Sequence, residues 1–356
     1  MTDPDMQAQL EAQKANCIFC KIISGEMESK TVYKDDLLQA TLDINPWVKG
    51  HVLLMPKEHY PIMPLLPPPT FRHMASMIPS LVGAVKSAML TTGANVFIAN
   101  GGIAGQQSPH FILHILPREN GDGADKFAFN EEKSVDKENF KKAAEMMKNN
   151  IPLMMKKHYQ RNAVQWDPSD ISRADHLKGI SGNLVHEDKK ILVALPEKPQ
   201  CIGHLVVYSQ EEQSLIENLG GESSFHLLSA ASLCATAVFE GLGAQGSNII
   251  LKTGTSMDNP EGRLEIHILP RTQDDGLDIL PAPLEEKPDL DDIQSRIKDK
   301  TFPMEHSQNQ EGKKPEVLDL DGRDVERIGG KEGPEPEPKD DAEEIKRALE
   351  RIRDSV

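Results

Sequence analysis

Apolar positions along the chain fall into short strand-like runs and one longer helical run. "LLQATLD" (37–43) and "HVLLMP" (51–56) are short apolar segments joined through a Pro/Gly turn, the arrangement of hairpin partners. Between them and the next strands, Phe71, Met74, Ile78, Leu81, Val85 and Met89 recur at helical spacing, with Thr70 placed to cap the start and Pro79 to bend the middle. "ANVFIAN" (94–100) and "HFILHILP" (110–117) then read as a second strand pair. This order describes an α+β unit in which an antiparallel sheet is faced by one main helix.

The same order returns at a constant offset of 153 residues. Segment 32–59 aligns with 185–212 without insertion, setting Pro46 over Pro199, Gly50 and His51 over Gly203 and His204, and Val52 over Leu205. Further on, Gly93 falls on Gly246, Asn95 on Asn248, Gly101 on Gly254, and "HILPR" (114–118) on "HILPR" (267–271). Two units, 15–118 and 169–272, are therefore expected. The charged connector between them, 119–168, carries Phe140, Ala144, Met147 and Ile151 on one side of a helix beside the first unit, broken at Pro152. After Arg271 the composition shifts to Pro, Asp and Glu, so 273–356 reads as an acidic, partly disordered tail with little capacity for a core. Its Ile345, Leu349 and Ile352 mark a terminal helix, either isolated or docked on a partner or on the body.

Composition narrows the setting. With 356 residues, 38% of them hydrophobic and 4% aromatic, the chain suits cores built mainly from aliphatic side chains. No uninterrupted apolar run has the eighteen or so residues that cross a bilayer, and the first residues lack the basic-then-apolar layout of a secretion signal, so no membrane association is expected. Only Cys17 and Cys20 of the four cysteines are closely spaced, which makes no disulfide framework; Cys201 and Cys234 read as small core residues in a cytoplasmic, reducing location. The formal charge is −16, and from Gln273 to Val356 there are 25 acids against 14 bases, so the acidity belongs mostly to the tail. That argues against duplex nucleic acid as a partner of the tail and leaves room for a local basic pocket in the body.

Cys17 and Cys20 in "CIFC" have the spacing that sets two thiolates on one tetrahedral ion; a redox pair or an incidental pair of reduced cysteines are the alternatives. His59 and His110 complete a set of two thiolates and two imidazoles suited to one structural Zn2+ with no vacant position for catalysis. The second repeat has Asp170, Arg173, Glu212 and Arg263 at the equivalent positions, so all four ligands are lost together, as members of one site are. Those charges form either an ion-pair cluster or separately solvated groups.

With these residues in view, "CIFCKIISGE", "GHVLLMPKEH", "NGGIAGQ" and "HFILHILPR" resemble the signature segments of the histidine triad (HIT) family in its zinc-containing branch, whose members are nucleotidyl hydrolases and transferases. The second repeat is similar through "CIGHLVVYS", its glycine pattern and "RLEIHILPR". The resemblance implies an α+β fold of two HIT-like units, each an antiparallel sheet with a main packing helix, joined as an intrachain pseudo-dimer. In the family's His-x-His-x-His strand the first histidine resembles His110, a zinc ligand, and the third resembles His114, beside the phosphate; His51 resembles a further active-site histidine. The middle histidine, the nucleophile that forms a covalent nucleotidyl intermediate, is Ile112 here, and the second repeat reads Arg263, Glu265 and His267 at the three positions.

Isoleucine has no lone pair with which to attack phosphorus. Glu265 has one, with His204 and His267 as expected neighbours, so a nucleotidyl hydrolase or transferase of altered chemistry stays open. In the first unit His51, Asn100, Gly101, Gly105, Gln106, Gln107, Ser108 and His114 are the candidate contacts for a nucleotide or another phosphorylated small molecule, unless the loop is only a tight turn. The leading expectation is a catalytically degenerate tandem HIT protein acting as a ligand-binding or interaction module, with a protein partner reached through the acidic tail. An RNA- or ribonucleoprotein-associated role is the third reading.

Overall fold

The first repeat supplies strands β1 (Thr31–Lys34), β2 (Leu38–Leu42), β3 (Val52–Pro56), β4 (Gly93–Asn100) and β5 (Leu113–Arg118). The second supplies β6 (Leu184–Glu187), β7 (Ile191–Ala194), β8 (Leu205–Ser209), β9 (Gly246–Gly254) and β10 (Glu265–Arg271). In the computed structural model all ten form a single antiparallel sheet ordered β1-β2-β3-β5-β4-β9-β10-β8-β7-β6. Helices are α1 (Ile18–Ser24), α2 (Pro68–Met89), α3 (Lys137–Arg161), α4 (Gly221–Leu242) and α5 (Leu290–Glu311). The structure describes residues 11, 13–122, 125–129, 133, 135–161, 173–180, 183–273 and 275–311. Asn16–Glu305 form one unit, to which everything below belongs; of the other, Met1–Ala15 with His306–Val356, only short helical pieces are described. The stripe of Ile345, Leu349 and Ile352 lies outside the described residues.

Both halves of the sheet have the same register. Leu53 pairs with His114 as Val206 pairs with His267, and the irregularity between Thr31 and Tyr33 recurs between Leu184 and His186. The halves meet along β4 and β9, where Phe97 lies opposite Ile250, its own counterpart at the 153-residue offset. Close approach at the ends of this pair requires glycine: a Cβ at Gly93 would lie 2.7 Å from the Thr255 carbonyl oxygen, and one at Gly246 would lie 2.6 Å from that of Asn100.

Pleating then sorts the side chains into two layers. Ala94, Val96, Ile98, Leu113 and Ile115, with Ile249, Leu251, Ile266 and Ile268, join buried residues of α2 and α4 in the larger core. Phe97, Ala99, Leu116, Ile250 and Leu269 face the other way into a smaller core with Val48, Phe127 and Ile279. By the same alternation His114 and His267 belong to this second face. A buried ion pair ties the repeats together there. Arg118, fully buried at the end of β5, pairs with Asp258 at 2.9 Å and with Asp122 at 2.6 Å, and Asn95 Nδ2 donates to Asp258 at 3.0 Å. Partners on several sides offset the cost of burying the guanidinium.

Several local expectations change in three dimensions. α2 starts at Pro68 behind Pro67, not at a Thr70 cap, because a first-turn proline lacks an N–H that would have no partner there anyway. α3 runs through Pro152 to Arg161 and packs on α4 and β6 of the second repeat, not beside the first, with Met147 and Ile151 fully buried. The segment after Arg271 does contribute to the core. Ile293 and Ile297 of α5 are fully buried, each worth about 1.5–3 kcal/mol, which holds an otherwise charged helix in place. α5 also covers β1: Gln294 Nε2 donates to the Thr31 carbonyl at 2.9 Å and Thr301 Oγ1 to that of Val32 at 2.6 Å. Since Leu290 stands at the offset from Lys137, the repeat extends through both connector helices. By length and mean hydropathy α4 is apolar enough to cross a bilayer, contrary to the sequence expectation, because small residues interrupt its runs without lowering the average much; 61% of its apolar window is buried in the fold.

One hairpin support recurs in both repeats. Asp35 accepts from the backbone N–H groups of Leu37 and Leu38 and bonds His73 of α2 at 2.8 Å; Asp188 does the same with Lys190, Ile191 and His226. Burial pushes the Asp35 carboxyl upward, but hydrogen bonds from His73, Tyr33 and the two amides outweigh it and hold the group at about 2. A folded value below the ordinary 3.8 contributes stability that is full above about pH 4 and is lost as the pH falls through about 2. Acid titration of unfolding should therefore show Asp35→Asn less stable by about 1–2 kcal/mol at pH 7 and converging on the parent near pH 2.

Candidate functional site

Four soft donors converge at one corner of the first repeat. α1 places Cys17 at its N-cap and Cys20 within its first turn, so both thiols lie on one side of a short helix. Cys20 Sγ lies 3.3 Å from His59 Nδ1 and 3.6 Å from His110 Nδ1, and Cys17 Sγ lies 3.7 Å from His110 Nδ1. The four ligand atoms are all within 4.8 Å of one another. His110 Nε2–H donates to the Pro56 carbonyl at 2.9 Å, which leaves the Nδ1 lone pair facing the thiols, the outer support a metal-bound imidazole needs. The sequence-predicted quartet is thus assembled, with donors suited to a tetrahedral ion. Its equivalents in the second repeat form no common cluster among the described residues: Arg173 pairs with Glu187 and Arg263 with Glu261, while Asp170 lies outside the described residues. Glu187 at the end of β6 captures one guanidinium group and Glu261 of the same loop the other.

A second group forms where β3 meets β5. The Trp47 backbone N–H donates to His51 Nδ1 at 3.2 Å, so His51 carries its proton on Nε2 and donates to His114 Nδ1 at 2.9 Å. Asp43 lies 3.5 Å from His51 Nδ1, its carboxyl pushed up by burial. Burial holds His114 down at about 4, and burial followed by the neighbouring His114 holds His51 well below the usual imidazole range. Both rings are therefore neutral at pH 7. The Trp47 indole stacks on His114 with centroids 4.9 Å apart and planes 9° apart. Ile112 is half-buried and precedes β5, so His110 to Ile112 lie just outside the strand that the sequence pattern assigned to them.

The same relay is built in the second repeat and ends differently. Gln200 N–H donates to His204 Nδ1 at 3.1 Å, His204 Nε2–H to His267 Nδ1 at 3.0 Å, and His267 Nε2–H to Glu265 Oε1 at 2.9 Å. Burial works against a charged Glu265, yet His267, Lys252 and Arg263 together keep its carboxyl below the ordinary range. Lys252 Nζ, 3.8 Å from Glu265, donates to the Asp258 carbonyl at 3.1 Å and lies 4.7 Å from the Phe129 ring centroid. Phe129 also packs edge-on against His267, at 4.9 Å. The sequence reading brought Glu265, His204 and His267 together and missed Lys252 and Phe129. Lys252 is the one charge inside β9, a signal that was available; nothing in the connector singled out Phe129.

Most donors of the 101–109 loop hold the loop itself. Gln106 accepts from the Gly101 N–H at 2.8 Å and donates to the carbonyls of Pro61 at 2.5 Å and Ser108 at 2.8 Å. Asn100 accepts from the Met63 N–H at 3.0 Å and donates to Ser247 at 3.2 Å, and Ser108 Oγ accepts from the His110 N–H at 3.2 Å. The Gly105 N–H donates to the Gly102 carbonyl at 2.9 Å. Gln107 is exposed. The equivalent loop of the second repeat presents Asp258, turned to Arg118, where the first has Gly105. A fixed carboxylate there disfavours a second anion.

The HIT domain family matches residues 24–121. An uncharacterized HIT-like protein of Methanocaldococcus jannaschii is 42% identical over 120 residues, which cover 34% of this chain and 92% of that protein. Adenylylsulfatase HINT3 of Arabidopsis thaliana is 36% identical over 118 residues, 33% of this chain and 60% of that protein, so the chain spans less than two thirds of its length. Adenosine 5'-monophosphoramidase hnt1 of Schizosaccharomyces pombe is 39% identical over 105 residues, 30% of this chain and 76% of that protein. With its first repeat aligned to nearly the whole of one such relative, the chain belongs to the HIT family.

Proposed function

We propose that the chain is a tandem HIT protein whose two repeats form an intrachain pseudo-dimer and which binds a nucleotide or another phosphorylated small molecule without turning it over. The observation that carries this reading is Ile112. It stands where the second repeat has Glu265 and where the family's nucleophilic histidine belongs, and it has neither a lone pair nor a proton to give. His51 and His114 keep the hydrogen-bonded arrangement beside the glycine loop, whose Gly101, Ala104, Gly105 and Gln106 N–H groups are spent within the loop, so the imidazole pair is the leading contact for an anion. Uniform register across both halves of the sheet supports the pseudo-dimer. The activities of the relatives, on an adenylyl sulfate and on an adenosine phosphoramidate, suggest the ligand class.

Cys17, Cys20, His59 and His110 would hold one Zn2+, whose chemistry is structural: four protein donors fill the tetrahedron and tie α1 to the sheet. Chelation of the full-length protein should release one equivalent of zinc and raise amide exchange over residues 16–118 more than over 183–271. An equal rise in both, or no zinc on elemental analysis, speaks against this assignment.

A second reading places an altered hydrolase at Glu265. It rests on the hydrogen-bonded line from His204 through His267 to an ionised carboxylate. Lys252 lies 3.8 Å from that carboxylate and itself rests against the Phe129 ring, so the first reading is preferred. Full-length protein assayed with adenosine phosphoramidate and with adenylyl sulfate is expected to give no product above buffer, while AMP binds saturably and loses about tenfold in affinity in His114→Ala, the effect of about one charge-assisted or neutral hydrogen bond. A covalent nucleotidyl adduct on the chain, or turnover abolished by Glu265→Gln, would replace the binding reading with the enzymatic one.

A further inference from the structure

Residues 277–284 cross the same face of the sheet that carries His114. The Arg271 guanidinium donates to the Leu277 carbonyl at 2.8 Å, Lys126 pairs with Asp278, and Ile279, 4% exposed, joins the small core beside Trp47 and Phe97. Leu280 rests on Gly105, and the Leu284 N–H donates to the Pro46 carbonyl at 2.8 Å, next to the indole that stacks on His114. The fit at Gly105 is specific to glycine: φ is +89°, and a Cβ would lie 2.4 Å from Leu280 Cδ1. The loop that would cradle a phosphate is therefore also the socket of one leucine from the chain's own later segment.

We infer that 277–284 is a strap that competes with the phosphorylated ligand for the Gly105 loop, so that ligand entry requires Leu280 to leave its socket. The inference rests on the binding reading above. The strap's attachment is light where it matters. Pro281 and Pro283 limit its backbone donors, Ala282, Pro283 and Glu285 are exposed although Pro281 is buried, and among the described residues its backbone bond to the body beyond Leu280 is the one from Leu284 to Pro46. Opening is thus a local event that leaves the sheet and α5 in place. A strap open about one-tenth of the time weakens the apparent affinity about tenfold relative to an open site. An outside partner that takes up the segment would raise nucleotide affinity by the same factor.

The test uses the full-length chain in a Trp166→Phe background, which leaves Trp47 as the sole emitter of the two tryptophans. Leu280→Asp sets a charge against the socket, Leu284→Pro removes the distal N–H without touching the core, and Leu280→Met keeps the apolar contact. Acrylamide quenching of Trp47 reads strap release, and calorimetric titration with AMP reads the site. Expected are greater quenching and up to about tenfold tighter AMP binding in Leu280→Asp and Leu284→Pro, with Leu280→Met at parental values; should Leu280→Asp fail to fold, Leu284→Pro alone carries the comparison. Unchanged quenching in Leu284→Pro overturns the strap. Parental AMP binding that does not tighten when Trp47 is freed overturns the gating and leaves the binding reading intact. AMP binding by none of the variants, with Trp47 freed, overturns both.

Discussion

The antiparallel contact between β4 and β9 governs the rest of the structure. Because Phe97 lies opposite Ile250, the pleat continues across the junction of the repeats without a break in parity. A slip of one residue would turn the apolar stripe of one half out of its core and send its histidines to the helix side. Glycines at both ends let the strands close, and the buried Arg118 to Asp258 pair, with Asn95, gives the register an electrostatic anchor.

On this common frame the two repeats hold the same imidazole relay and end it on different groups. In both, a backbone N–H fixes the first ring and a ring-to-ring bond fixes the second. The last N–H finds a carboxylate in one repeat, whereas the corresponding side chain in the other is Ile112. Burial keeps the His51–His114 pair neutral, so it presents dipoles rather than charge. In the second repeat Glu265 has His267 and Lys252 beside it, and Lys252 in turn lies against the Phe129 ring.

The chain segments that follow each repeat do more than connect. Residues 125–129 bring Phe127 onto Phe97 and Phe129 onto His267, and residues 277–284 lie over the Gly105 loop. α3 covers the edge of the second half of the sheet at β6, and α5 covers the edge of the first at β1. Both exposed sheet edges are thereby closed by the other repeat's extension, which removes two sites for unwanted strand pairing.

Much of this was legible beforehand. Periodicity of apolar residues located four of the five strands in each repeat and α2, and the fixed offset carried the pairing from one repeat to the other; the short edge strands β1 and β6 had no such signal. The Cys/His quartet was readable because ligand chemistry restricts the residue types and because the second copy lost all four. Less legible were the connector helices, since α5 needs only Ile293 and Ile297 in a charged sequence and its kinship to α3 leaves no residue identity to follow. The hydrogen-bond duties of Asn100 and Gln106, the packing of Phe129 on His267 and the contact of Leu280 with Gly105 have no local signature. Local pattern determines which face each residue of a strand presents and which side chains have the chemistry to act; which distant segment covers that face depends on burial among residues more than a hundred positions apart, and that was decided only when the sheet closed.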